Sequence, residues 1–183
     1  RTLTLGANGS QTGTLDHVSG SLVGQMRRWV DPATDNGREV LFPVGTSGYY
    51  RPITLQFDNL TNSGTLTAHF EASDPGSSGM PLEEDGETLN DAFPEGYWPV
   101  TRANGFSFSG SYDVRLVADG FSTFSIDTSN RVIVRTGVST DWQLVGDHVN
   151  ALDTLIQRDN ISGNIYQFGV SSAAACEVVI SDC

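Results

Sequence analysis

Short runs in which apolar and polar residues alternate, each cut off by turn-forming residues, constrain this chain more than any other feature. In 53–57, Ile53, Leu55 and Phe57 share one face while Thr54 and Gln56 take the other. Leu66, Ala68 and Phe70 repeat the pattern after a turn at 59–64, as do Tyr112, Val114, Leu116 and Ala118 further on. Side chains of a strand point alternately to opposite faces, so period two marks a strand with one side in a core. Further strands are expected at 39–44, 97–101, 152–156 and 165–170, with a hairpin of 131–135 and 142–145 around Gly137. An extended run, 21–30, ends at Asp31-Pro32 and Asp35-Asn36-Gly37, a cluster of turn residues. No segment sustains a helical period, although 81–91 could form one helical turn within an acidic insertion spanning 72–95. About nine or ten short strands at such spacing predict an all-β, antiparallel two-sheet sandwich of jelly-roll or immunoglobulin-like type. Leu55, Phe57, Leu66, Phe70, Leu116, Val132, Val134 and Phe168 should point inward.

The chain divides into an N-terminal strand segment (1–18), the sandwich (19–172) and a tail (173–183). Thr2–Leu5 reads as a strand that completes its own sheet, ends a β-helix, or adds to the edge of a neighbouring copy. Cys176 and Cys183 could pair only across a turn, since a straight strand holds them too far apart. A chain of 183 residues buries roughly 70% of its unfolded surface, so the sandwich needs no metal or disulfide to hold a core. Without a preceding signal peptide or a long apolar run, it reads as a mature or excised piece.

Charge excludes some partners. Twenty-two Asp and Glu against ten basic residues give a net −12, a field that repels nucleic acid and anionic membranes. All ten basic residues are arginine. With no lysine, Schiff-base chemistry, phosphate-loop lysines and lysine–asparagine crosslinks are ruled out.

Catalysis would need a nucleophile beside a base, a carboxylate pair or a metal cluster. His17, His69 and His148 are scattered, and no nucleophile elbow or zinc-type spacing occurs. Two acidic loops could offer oxygens to calcium: Asp31, Asp35, Asn36 and Glu39 in one, Asp74, Glu83, Asp85 and Glu87 in the other. Ordinary turn chemistry accounts for the same residues. Trp98, Tyr97, Tyr49 and Tyr50 are candidate platforms for a sugar ring, or else core and sheet-edge packing. Arg51, between Tyr50 and Pro52, is expected to bond a nearby carboxylate.

Several stretches resemble a domain of large secreted proteins of Bacteroidota, many of them cargo of the type IX secretion route. They are 20–28 (GSLVGQMRR), 41–54 (LFPVGTSGYYRPIT), the hairpin at 64–71, Tyr97-Trp98, 131–135, 142–146 and 161–170 (ISGNIYQFGV). The likeness spans 20–170 and implies an exported spacer or adhesin module with no catalytic residues to transfer. In such bacteria O-glycans go onto Asp-Thr/Ser-apolar triplets, which Asp153-Thr154-Leu155 fits, making Thr154 a candidate glycosylation site. The sequence is thus read as an extracellular structural or adhesive module of a cell-surface protein or fibre. No cofactor other than calcium is expected. Its partners would be copies of itself, neighbouring domains or glycans. A calcium- or carbohydrate-binding module is the alternative, and a hydrolase the further one.

Overall fold

The computed structural model describes residues 1–137 and 139–173. Thirteen strands and one short helix follow in chain order. They are β1 (Thr2–Leu5), β2 (Gln25–Val30), α1 (Pro32–Asp35), β3 (Glu39–Phe42), β4 (Ile53–Asn62), β5 (Gly64–Ala68), β6 (Leu82–Glu84) and β7 (Glu87–Ala92). Then come β8 (Trp98–Ala103), β9 (Ser107–Val117), β10 (Arg131–Arg135), β11 (Asp147–Leu152), β12 (Leu155–Ser162) and β13 (Gln167–Ala173).

The strands form two mostly antiparallel sheets packed as a sandwich. One sheet runs β11-β12-β9-β4-β3. The other runs β1-β2-β5-β8-β13, and β13 organises its far end. Along one edge β13 pairs with β10, from Arg131 opposite Ser171 to Arg135 opposite Gln167. Along the other it pairs first with β8 and then with β7, which continues to β6. β7 and β8 are therefore two halves of one edge, interrupted at 93–97, where Phe93 turns fully inward.

The period-two runs explain the core. Ile53, Leu55 and Phe57 of β4 and Tyr112, Val114 and Leu116 of β9 face Leu66, Ala68, Trp98, Val100, Phe168 and Val170 of the opposite sheet. All eight residues expected to point inward pack in this core, Val134 at its partly buried margin. Each such side chain removed from water contributes roughly 1.5–3 kcal/mol. A second, smaller cluster of Ala92, Ile133 and Trp142, with Met80, Leu82 and Leu144, joins the acidic insertion to the rest of the chain. Trp142 pins it: its indole N–H donates to the Gly76 carbonyl at 2.7 Å, and its backbone N–H to Ser78 at 2.9 Å.

Three expectations are corrected. The helical turn within 81–91 is instead the β6–β7 hairpin, turned by Asp85 and Gly86 at φ 54° and 83°. Two successive positive φ values make a type I′ turn, whose twist matches antiparallel strands and which Asp-Gly favours. The expected strand 152–156 straddles another hairpin: Leu152 ends β11, Leu155 opens β12, and Asp153 turns at φ 53°. Residues 142–145 form no strand beside β10; one bridge, Val134 to Gln143, is their only ladder pairing with it among the described residues. β10 pairs with β13 instead, because β13 offers it five consecutive partners.

β1 lies on its own sheet, parallel to β2 with Thr2 opposite Gln25 and Leu5 opposite Arg28. Leu5 and Leu15 of the N-terminal segment pack against the main core. Cys176 and Cys183 lie outside the described residues.

Candidate functional site

The β3–β4 connection is built to hold two tyrosines still. Gly45 pairs with Tyr50, the Thr46 N–H donates to the Tyr49 carbonyl at 3.0 Å, and Ser47-Gly48 forms the tip. The Thr46 hydroxyl accepts from the N–H groups of Gly48 and Tyr49 at 3.3 and 3.1 Å, closing the turn from inside. Tyr49 leaves this tip with its ring against the Arg51 guanidinium, 4.9 Å from the centroid, and against Gly120. A Cβ on Gly120 would stand 2.3 Å from the ring, so only glycine lets the tyrosine lie there. Tyr49 nevertheless stays 47% exposed.

Tyr50 stacks on His17, with centroids 5.0 Å apart and planes 8° from parallel. His17 Nε2 lies 2.7 Å from the Gly20 carbonyl. A carbonyl can only accept, so Nε2 carries the proton and the ring orientation is fixed. Burial pushes the Tyr50 phenol upward, which keeps it a neutral hydroxyl donor. Ser47, Tyr49, Tyr50 and Asp119 line an open depression of about 380 Å³. It adjoins one of about 270 Å³ beside His17, Leu22 and Pro43, the two sharing Gly20 and Ser21. Among the described residues nothing donates a hydrogen bond to the half-buried Asp119 carboxylate.

Arg51 anchors this corner from below. It is buried, its Nε donates to the Asp119 carbonyl at 2.7 Å, and its guanidinium lies 4.7 Å from the rings of both Phe70 and Phe121. Desolvation lowers its pKa, against the opposing charges of the Glu95 and Asp119 carboxylates. A guanidinium keeps its proton regardless. The carboxylate expected to bond Arg51 is thus replaced by a carbonyl and a box of aromatic rings. Its own carbonyl accepts from the Trp98 indole at 2.8 Å.

That bond explains why Trp98 and Tyr97 are not platforms, correcting the expectation for both. Trp98 is fully buried and Tyr97 nearly so, and Trp98 packs edge-on to Phe70 and stacks on Phe121. Of the four aromatic candidates, the structure brings only Tyr49 and Tyr50 together at the surface.

The calcium candidates lie apart, most of them in turn or strand roles. Asp31 caps α1 by accepting from the Ala33 N–H at 2.9 Å, and Asp35 accepts from the Asp31 N–H and the Thr34 hydroxyl. Asn36 accepts from the Leu60 N–H at 2.7 Å, and Glu39 is ion-paired with Arg115. Asp74 accepts from the Gly76 N–H at 2.7 Å, while Glu83, Asp85 and Glu87 sit exposed along the β6–β7 hairpin. Among the described residues, no three His, Cys, Asp or Glu side chains gather as a cation would require. Thr154 is exposed at the β11–β12 tip, its carbonyl accepting from the Ala118 N–H at 2.8 Å.

The acidic residue with the strongest partners is Glu84. It takes both guanidinium nitrogens of the fully buried Arg158, from β12 of the other sheet, and lies 3.1 Å from Nε of the buried Arg131 of β10. Burial alone would raise Glu84, but the hydrogen bond and charge of Arg158, with Arg131 and His148, outweigh it and hold the carboxyl below its usual range. Within the run of carboxylates from Glu83 to Asp91 nothing in the sequence sets Glu84 apart except its place before Asp85-Gly86. His17 and Asp119 carry no sequence signal either, because the fold brings them to Tyr49 and Tyr50 from distant segments. No protein-family description, curated protein or solved structure matches the chain.

Proposed function

We propose that this chain is a non-catalytic structural or adhesive module of an extracellular bacterial surface protein or fibre, meeting neighbouring domains or other copies through its surface. One observation carries the reading: the buried arginines and the aspartates of the first acidic loop are engaged in holding the fold together. Arg158 and Arg131 are buried against Glu84, Arg51 is buried among aromatic rings, and the aspartates of the first acidic loop cap and close turns. Such roles suit a load-bearing domain whose work is done by shape and surface. A panel of ester and glycoside substrates should give no turnover. Turnover abolished by a single serine or carboxylate change would overturn the reading.

A second reading, a carbohydrate-binding module, is favoured by the exposed, immobilised Tyr49 beside an open depression. It is compatible with the first, since an adhesive module must adhere to something. The calcium version makes a separate claim: a cation bound only by the folded state would raise the melting temperature. No such rise is expected here.

A further inference from the structure

The geometry points to a saccharide site at the β3–β4 tip, where Tyr49 receives the apolar C–H face of a pyranose ring and Asp119 accepts its hydroxyls. The inference rests on the adhesive reading and deepens it by naming the ligand class. A sugar ring is amphipathic: one face presents C–H groups, while its rim presents hydroxyls that are best met by charged or paired acceptors. Recognition therefore needs a flat, rigid aromatic surface with a carboxylate and neutral hydroxyls at its border, in a wet and open depression.

The corner supplies each part. Tyr49 is rigid because Thr46 closes its turn and because Gly120 and Arg51 support its ring, yet about half of it faces solvent. Ordering it on binding therefore costs little further conformational entropy. The half-buried Asp119 lines the depression, and its carboxylate, near the Arg51 charge, has no hydrogen-bond donor among the described residues. A hydrogen bond to a charged acceptor is about twice as strong as a neutral one, which makes Asp119 the group that orients the ring. The Ser47 and Tyr50 hydroxyls add donors, and burial keeps the Tyr50 phenol protonated. The depression, about 380 Å³, lies within the size range of small-molecule sites. The adjoining hollow beside His17 gives a second residue of an oligosaccharide somewhere to go. The net charge of −12 selects against uronic acids and sulfated sugars, so the ligand is a neutral pyranose.

The test is an array of neutral and anionic mono- to hexasaccharides probed with the intact chain, followed by titration calorimetry with the strongest responder. Binding to at least one neutral pyranoside is expected, weakened about tenfold or more by Tyr49→Ala and by Asp119→Asn when the folded fractions are compared. Ile133→Val, a change in the second cluster that touches none of the site residues, should lower the melting temperature but leave the affinity of the folded fraction within about twofold. An array without response, a response confined to anionic sugars, or affinity indifferent to both surface variants overturns the site. None of these outcomes touches the non-catalytic reading, which falls only if the chain turns over an ester or glycoside substrate.

Discussion

At the scale of single residues, most departures from expectation involve polar groups in the interior. Alternation in β9 places Tyr112 on the buried face, and the structure buries it completely, with its hydroxyl unpartnered among the described residues. Burial pushes the phenol far upward, so it is neutral at any ordinary pH. A buried hydroxyl without a partner has lost its water for nothing, a cost of about 1–3 kcal/mol. Tyr112→Phe should therefore leave stability unchanged or raise it by about 1 kcal/mol in urea denaturation. A loss of more than about 1 kcal/mol would mean that the hydroxyl has a partner after all. Trp98 teaches a related lesson. An aromatic opening a strand more often packs in the core than serves as a platform, and the Arg51 carbonyl in the β3–β4 connection, 47 positions away, holds Trp98 there. Tyr49 differs from Trp98 by standing at a turn tip, over a glycine whose importance appears only once 49 and 120 meet in space.

At the scale of elements, strands with strict alternation were legible and turns were less so. β4, β5 and β9 follow from period two, whereas β10 shows as a short apolar run buried on both faces, Val132 in the main core and Ile133 in the second cluster. The β6–β7 hairpin was missed because acidic residues with scattered leucines carry neither period clearly, although Asp85-Gly86 is itself a strong hairpin signal. That turn makes a sharp prediction. Gly86 adopts φ 83° with open space around it, so Gly86→Ala meets no clash and carries only the left-handed backbone penalty. It should cost about 1 kcal/mol, seen as a lower urea midpoint with an unchanged slope. An unchanged midpoint would argue against the type I′ turn. The β11–β12 turn was blurred for another reason: Leu152 precedes it and Leu155 follows it, so apolar character runs through the bend. Leu152 is in fact 69% exposed.

For the whole molecule, the class of fold was legible from pattern alone, whereas the pairing that joins its parts was not. Glu84 sits on the acidic insertion, Arg131 on one sheet and Arg158 on the other, so one carboxylate clamps three regions. Nothing local in sequence links positions 84, 131 and 158. The clamp sets the acid limit of the fold. Because Glu84 titrates below its unfolded value of about 4.3, its contribution is complete above that pH. It is lost as pH falls through the lower, folded value, where protonation leaves two buried guanidinium groups facing each other. His148, its pKa lowered by burial and by Arg131, has the same sign, with stability falling as pH drops below about 6.5. Melting temperature should therefore decline in two stages on acidification, a shallow one below neutrality and a steep one below about pH 4.

Glu84 is the residue at which the role of the charged side chains in holding this sandwich together can be measured. The measurement is the unfolding free energy of Glu84→Gln against the unaltered chain in urea, with and without millimolar calcium. A loss of about 3 kcal/mol or more is expected, because the buried Arg158 would keep its charge and lose its counterion, while Arg131 would keep only the exposed Asp85 at 3.8 Å. Calcium should change neither protein. An undiminished free energy for the variant, or a calcium-dependent gain in the unaltered chain that the variant lacks, would contradict the account.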